Sequence, residues 1–99
     1  MKLITAIIRP NLLDRLVVAL EDVQDFPGMT VSEAEGFGQG LRTTVYDSLN
    51  PFKPKKRIEI AANDPMVEEI VKIIRSHAHT GKKGDGVIFV MPIDDAVLI

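Results

Sequence analysis

The alternation of hydrophobic and polar positions along the chain predicts both strands and helices. Residues 2–9, KLITAIIR, form an apolar run that Pro10 stops, as is typical of a buried strand. In 64–78 apolar residues recur at helical spacing with charged residues between them, as is typical of an amphipathic helix. The pattern predicts strands over 2–9, 29–37, 56–63 and 86–93, and helices over 11–23 and 64–78.

The predicted order, β-α-β-β-α-β, indicates a ferredoxin-like α+β fold. With right-handed crossovers this order gives a four-stranded antiparallel sheet with both helices on one face, as a single domain over 1–99. The other face carries KLITAII and VIFV, which are too apolar to be left in water. We therefore expect the chain to bury this face against copies of itself as a homo-oligomer.

Residues 38–56 interrupt the pattern with glycines, prolines and hydroxyl side chains. A loop this long in a compact domain is usually functional or disordered.

Composition removes several function classes. The 99 residues carry a net charge of −2, so no basic field directs the chain to nucleic acid or to a membrane surface. The absence of cysteine excludes disulfides, thiolate zinc sites and thiol nucleophiles. The first apolar run lacks a signal-peptide cleavage site and is too short to span a bilayer, so we expect a cytoplasmic protein without membrane insertion.

The stretch TGKKGDGVIFV, residues 80–90, combines glycines with Lys82 and Lys83 directly before a predicted strand. Glycines allow backbone N–H groups to approach an anion closely. A glycine-rich turn that feeds a strand is the alternative, and spacing alone favours it.

His77 and His79 lie where the second helix ends. They form a weak candidate metal site, because no cysteine or fixed carboxylate accompanies them. The alternative is that both imidazoles interact with the negative end of the helix dipole.

Four stretches in order make the sequence resemble the PII signalling proteins, which act in nitrogen regulation, over nearly the whole chain. They are AIIRP before a helix containing LD, GMTVSEAEGFG (28–38), PKKRIEI (54–60) and TGKKGDGVIFV (80–90). The resemblance implies a homotrimer that binds ATP or ADP between subunits, often with magnesium and 2-oxoglutarate. It also implies a T-loop, here about 39–54, that engages a membrane transporter or a metabolic enzyme.

The resemblance also implies which residues contact ligand and partner. The implied nucleotide-binding residues are Ile7, Gly28, Met29, Thr30, Gly36, Phe37, Gly38, Gln39, Glu59, Thr80, Lys83, Gly84, Asp85 and Gly86. The implied partner-binding residues of the T-loop are Arg42, Tyr46 and Phe52.

Departures from the family pattern predict altered ligand binding. Val87 stands where the family has a phosphate-contacting lysine, which predicts weakened affinity for ATP or ADP. Gln39 lacks the adjacent arginine, which argues against a response to 2-oxoglutarate, and no arginine follows Arg75. In the shortened loop we predict that Tyr46 is not modified.

Three functions compete at this point. The first is a trimeric regulator that senses an adenine nucleotide and controls its partner through the T-loop. The second is a PII-like binding module without nucleotide sensing, or one that responds to metal through His77 and His79. The third is a small enzyme such as an acylphosphatase, but no nucleophile–base pair can be assembled, so we predict that the protein is not an enzyme.

Overall fold

The computed structural model describes residues 1–38 and 51–99 of the chain. The elements in chain order are β1 (Lys2–Ile8), a short 3-10 helical turn (Pro10–Leu12), α1 (Leu13–Glu21), β2 (Thr30–Gly36), β3 (Lys53–Ala62), α2 (Asp64–Ala78) and β4 (Gly86–Pro92). The four strands form one antiparallel sheet in the order β2-β3-β1-β4. This arrangement confirms the predicted ferredoxin-like α+β fold.

Strand β1 organises the sheet, because it pairs with β3 on one side and with β4 on the other. Its middle residue, Thr5, lies opposite Glu59 of β3 and opposite Phe89 of β4. Successive side chains of a strand point to opposite faces, so this register fixes which residues meet the helices.

The core lies between the sheet and the two helices. On the helix-facing side, alternate residues of β1 and β3 are buried against leucines of α1 and isoleucines of α2. The buried set includes Ile4, Ala6, Ile8, Ile58, Ile60, Leu16, Leu20, Ile70 and Ile74. Burial of these side chains is the main stabilising contribution to the fold.

The opposite side of the sheet, here called the open face, is covered by neither helix. Its residues on β1, β3 and β4 are Leu3, Thr5, Ile7, Arg57, Glu59, Ala61, Val87, Phe89 and Met91. Val87, Phe89 and Met91 are 45%, 50% and 44% exposed. The open face therefore carries apolar side chains that one copy of the chain leaves in water.

Most element boundaries differ from the sequence prediction by one to three residues, and two of these differences have a clear cause. Helix α1 begins at Leu13 rather than at residue 11, because the chain first makes the 3-10 turn from Pro10. Strand β3 begins at Lys53 rather than at Lys56, because β2 continues to pair with it, with Glu35 opposite Pro54. Since β1 ends opposite Lys56, Pro54 needs no N–H toward β1.

The predicted T-loop falls mainly on residues 39–50, which lie outside the described residues. No helix in the described ranges is long and apolar enough to cross a membrane.

Candidate functional site

The segment from Thr80 to Gly86, here called the glycine corner, joins α2 to β4. Gly81, Gly84 and Gly86 have φ angles of +86°, +87° and +135°, in the region that side chains rarely adopt. A Cβ on Gly86 would lie 1.8 Å from the carbonyl oxygen of Ile7. The corner therefore fits against the end of β1 only because this residue is glycine.

Asp85 holds the glycine corner together. Its carboxylate accepts hydrogen bonds from the N–H of Thr80 at 2.7 Å and from the N–H of Gly81 at 3.0 Å. The Thr80 hydroxyl and Arg9 Nε also donate to it, the latter at 3.0 Å. The bonds from Thr80, followed by those from Arg9 and Gly81, hold the pKa of Asp85 well below its usual range. Asp85 thus has a structural role in the corner.

Two cations from neighbouring strands fix the corner's carbonyl groups. Arg9 Nη2 donates to the carbonyl oxygen of Lys83 at 2.9 Å, and Lys55 Nζ donates to that of Gly84 at 2.6 Å. Burial, and to a lesser degree the nearby Arg9, lowers the pKa of Lys55. Both cations are therefore engaged with the protein's own oxygen atoms.

The part of the corner left to contact an anion is small and cationic. The N–H of Lys82 donates to the Thr80 hydroxyl at 3.2 Å, and those of Thr80 and Gly81 are used by Asp85. Within the described chain no hydrogen bond or ion pair engages the exposed side chains of Lys82 and Lys83. These two ammonium groups are the charges that remain for a phosphate.

The predicted nucleotide-binding residues fall into separate places on one chain. Ile7, Asp85, Gly86 and Val87 line a cavity of about 190 Å³ beside the end of α2. We call these four residues the corner half-site.

The second place is a groove that runs from β3 to the start of the outer strand β2. Gly28, Met29, Thr30 and Glu59 line it, and we call these four residues the groove half-site. Thr30 and Gly86 lie on the outer strands β2 and β4, about three strand spacings or about 14 Å apart, whereas Glu59 and Ile7 lie on the adjacent inner strands β3 and β1. Within one chain they do not form a common site.

The base of the predicted T-loop connects to the glycine corner through Lys55. A Cβ on Gly36 would lie 3.3 Å from Lys55 Cγ, so the glycine leaves room for this side chain on its way to Gly84. Beyond Gly36, the rings of Phe37 and Phe52 lie 5.7 Å apart, and both are half exposed.

The remaining loop residues cannot be placed. Gln39, Arg42 and Tyr46 lie outside the described residues. The role of Phe52 in partner binding stays a prediction, as does the role of each nucleotide-binding residue.

The two histidines have different surroundings. His77 Nδ1 lies 2.8 Å from the carbonyl oxygen of Ile73, and His79 Nδ1 lies 3.5 Å from Asp85 Oδ2. In the described ranges no three His, Cys, Asp or Glu side chains are grouped to hold a metal ion. A metal site that uses both histidines stays a prediction.

Sequence reasoning missed Arg9 and Lys55. Arg9 follows β1 and directly precedes Pro10, and Lys55 occupies a polar position in the alternating pattern of β3. Lys55 lies two residues before Arg57 and four before Glu59. Because alternate residues of a strand point to the same face, this spacing places Lys55 on the same side of β3 as Arg57 and Glu59, and it is the sequence signal available for Lys55. No local pattern links either residue to a segment more than twenty positions away.

Comparisons with known proteins match the chain along its length. The family model described as Nitrogen regulatory protein P-II matches residues 1–99. The chain is 44% identical over 103 aligned residues to the nitrogen regulatory protein P-II of Azospirillum brasilense, covering 100% of the chain and 91% of that protein. It is similarly 44% identical to the P-II protein of Bradyrhizobium diazoefficiens, with the same coverage. A nitrogen fixation nifHD region GlnB-like protein 1 of Methanothermococcus thermolithotrophicus is 42% identical, with 93% of that protein covered.

Proposed function

Because this chain belongs to the family of nitrogen regulatory P-II proteins, which are regulatory signalling proteins, we propose that it works as a homotrimeric nucleotide sensor. An adenine nucleotide, ATP or ADP, binds in the clefts between subunits. The T-loop then controls a membrane transporter or a metabolic enzyme according to which ligand is bound.

The separation of the two half-sites carries this proposal. The corner half-site and the groove half-site line different depressions, which extend to the outer strands β4 and β2 respectively. A cyclic assembly brings one edge of a subunit against the other edge of the next. Each cleft then combines the corner half-site of one subunit with the groove half-site of its neighbour. A ligand with two chemically different ends, such as a nucleotide, needs both half-sites.

The chemistry of the corner favours a phosphate at that end of the cleft. Lys82 and Lys83 supply unpaired positive charge, while Arg9 neutralises the nearby Asp85. The groove half-site, with Met29 and the carboxylate of Glu59, suits the uncharged end of a nucleotide. Magnesium with the phosphates is compatible with this arrangement, whereas the missing arginine adjacent to Gln39 argues against 2-oxoglutarate.

Val87 predicts that phosphate binding is weaker than a lysine at this position would give. It lies 45% exposed on the open face, opposite Ile7, and has no group that donates to an anion. A lost charge-assisted hydrogen bond costs about 1.5–3 kcal/mol, roughly a tenfold to hundredfold loss of affinity.

Calorimetric titration of the assembled protein with ATP, ADP and AMP tests the proposal. We expect binding of ATP or ADP, and Val87→Lys should tighten it by about tenfold to a hundredfold. Val18→Lys, at a residue of α1 that is 63% exposed, adds the same charge elsewhere and should leave the affinity unchanged. If none of the three nucleotides binds at millimolar concentration to either the wild type or Val87→Lys, the sensing half of the proposal is wrong.

A further inference from the structure

The middle of the open face contains a buried hydroxyl group without a partner. Thr5 is 6% exposed, and its Oγ1 makes no hydrogen bond to any residue of 1–38 or 51–99. Buried polar side-chain atoms in native proteins nearly always have a partner. The isolation of this hydroxyl therefore indicates that its partner is supplied in another state of the protein.

Glu59 is the acceptor that the sheet places nearest to Thr5. The register sets Glu59 directly opposite Thr5 on β3 and sets Phe89 opposite on β4. Directly opposed residues have their Cβ atoms about 4.5–5.5 Å apart. The neighbours along β1 on this face, Leu3 and Ile7, have no hydrogen-bonding side chain. A threonine hydroxyl donates readily to a carboxylate.

The present contact of Glu59 is loose. Its Oε2 lies 3.5 Å from Arg57 Nη2, and the two side chains are 35% and 49% exposed. Charge-assisted hydrogen bonds between such groups are usually about 2.7–2.9 Å long. Water therefore competes with Arg57 for the carboxylate, which has lone pairs left for a second donor.

A second copy of the chain on the open face changes this balance. The exposed Val87, Phe89 and Met91 lie on β4 next to β1, and an apolar surface of this kind is buried when two copies associate. Association removes water from the neighbouring Glu59, so that its carboxylate needs a further internal donor. One carboxylate oxygen can accept from Thr5 while the other keeps its contact with Arg57.

We propose that assembly closes a buried hydrogen bond from the Thr5 hydroxyl to the Glu59 carboxylate, and that this bond sets the direction of Glu59 in the groove half-site. Thr5 is then a positioning residue for the inter-subunit cleft. This inference rests on the homo-oligomer of the proposed function and adds a residue to it. It makes the centre of the sheet a point where assembly and ligand binding are coupled.

A double-mutant cycle on the assembled protein tests the bond. Dissociation of the oligomer is measured by sedimentation equilibrium for Thr5→Val, Glu59→Leu and the double variant, because leucine removes the acceptor that glutamine would keep. We expect Thr5→Val to weaken assembly by about tenfold, since it keeps the shape but removes the donor. The double variant should assemble no more weakly than the weaker-assembling single variant. The effects of the two substitutions are then non-additive, with a coupling of about tenfold between Thr5 and Glu59.

Two controls separate this bond from general damage to the sheet. Thr5→Ser retains the hydroxyl and should assemble within about threefold of the wild type, with the small loss due to the missing methyl group. Arg57→Gln removes the other partner of Glu59 and should leave the Thr5–Glu59 coupling in place. Thr5→Ala replaces Thr5→Val in the cycle if the valine variant does not fold.

The sign of the Thr5→Val effect decides the inference. Assembly as tight as, or tighter than, that of the wild type means that the hydroxyl is unbonded in the oligomer, and the inference is overturned. Strictly additive effects overturn it as well, because two bonded side chains cannot act independently. A monomeric wild type overturns both this inference and the trimer. If the oligomer shows the coupling between Thr5 and Glu59 but binds no nucleotide, only the nucleotide-sensing part of the proposed function is contradicted.

Discussion

At the scale of single residues, the glycine corner depends on Gly86 for a steric reason and on Asp85 for an electrostatic one. Gly86 has no space for a Cβ beside the carbonyl oxygen of Ile7, and Asp85 accepts the hydrogen bonds that close the turn. Although the two residues are adjacent, substitutions at them should lower the free energy of unfolding for different reasons.

Gly86→Ala should destabilise the protein by at least about 3 kcal/mol, because the new Cβ overlaps backbone that cannot move aside. Gly28→Ala is the matched control, since Gly28 has φ +97° but no atom within 4 Å of its ideal Cβ. The control should cost about 1–2 kcal/mol, the usual penalty of the left-handed conformation. Urea unfolding of both variants measures the difference, and equal losses would show that the corner moves away from β1 freely.

Asp85→Asn should lower the free energy of unfolding in a pH-dependent way. The folded protein lowers the pKa of Asp85 from its ordinary value of 3.8, so the stabilising effect of the carboxylate is fully present above about pH 4. It is lost progressively as the pH falls below that value toward the lowered folded pKa.

Urea unfolding between pH 7 and pH 2 checks this expectation. The difference in free energy of unfolding between wild type and Asp85→Asn should be constant near neutral pH and should become smaller in acid. Asp94→Asn, at an exposed residue beyond β4, should have nearly the same free energy of unfolding as the wild type at any pH. A gap between wild type and Asp85→Asn that widens in acid would contradict the assignment of the lowered pKa to the folded state.

At the scale of secondary structure elements, Lys55 links β3 to the glycine corner across the end of β1. Lys55→Met should cost about 1–2 kcal/mol, because the carbonyl oxygen of Gly84 loses a charged donor while the apolar part of the side chain is retained. Lys56→Met is the control, since Lys56 pairs at 3.2 Å with Glu33, whose side chain is 88% exposed. Such a surface pair contributes about 0–1 kcal/mol.

Thermal unfolding of Lys55→Met and Lys56→Met gives this comparison. Hydrogen exchange at Gly84 and Asp85 should also accelerate in Lys55→Met alone. Unchanged exchange in that variant would mean that the corner does not depend on Lys55.

The elements themselves were predicted well because their patterns are local. The helix over 64–78 was predicted with the bounds that α2 has, since Pro65 and the apolar spacing mark it without reference to other segments. The start of β3 was placed too late, because Lys53 and Pro54 look like loop residues until β2 pairs with them. Strand ends are set by the partner strand, and the partner is not visible in a local window.

At the scale of the whole molecule, the open face decides whether copies associate. Phe89→Glu should dissociate the oligomer, because it places a charge among the apolar side chains of β4 and next to Thr5. Val18→Glu puts the same charge on α1, on the far side of the molecule from the open face, and should leave assembly intact. Sedimentation velocity at micromolar concentration distinguishes the two variants, and dissociation of both would mean that the interface is not the open face.

The sequence by itself determined the order of the elements, the apolar character of both sides of β1 and the membership in the P-II family, which the family model and the P-II relatives confirm over 1–99. These properties follow from periodicity and from motifs that each occupy a few consecutive residues. Only the tertiary structure decided that Arg9 and Lys55 fix the glycine corner, that the two half-sites line different depressions and that the Thr5 hydroxyl is isolated. Such facts depend on strand register, which brings together residues far apart in the chain through contacts that no local pattern encodes.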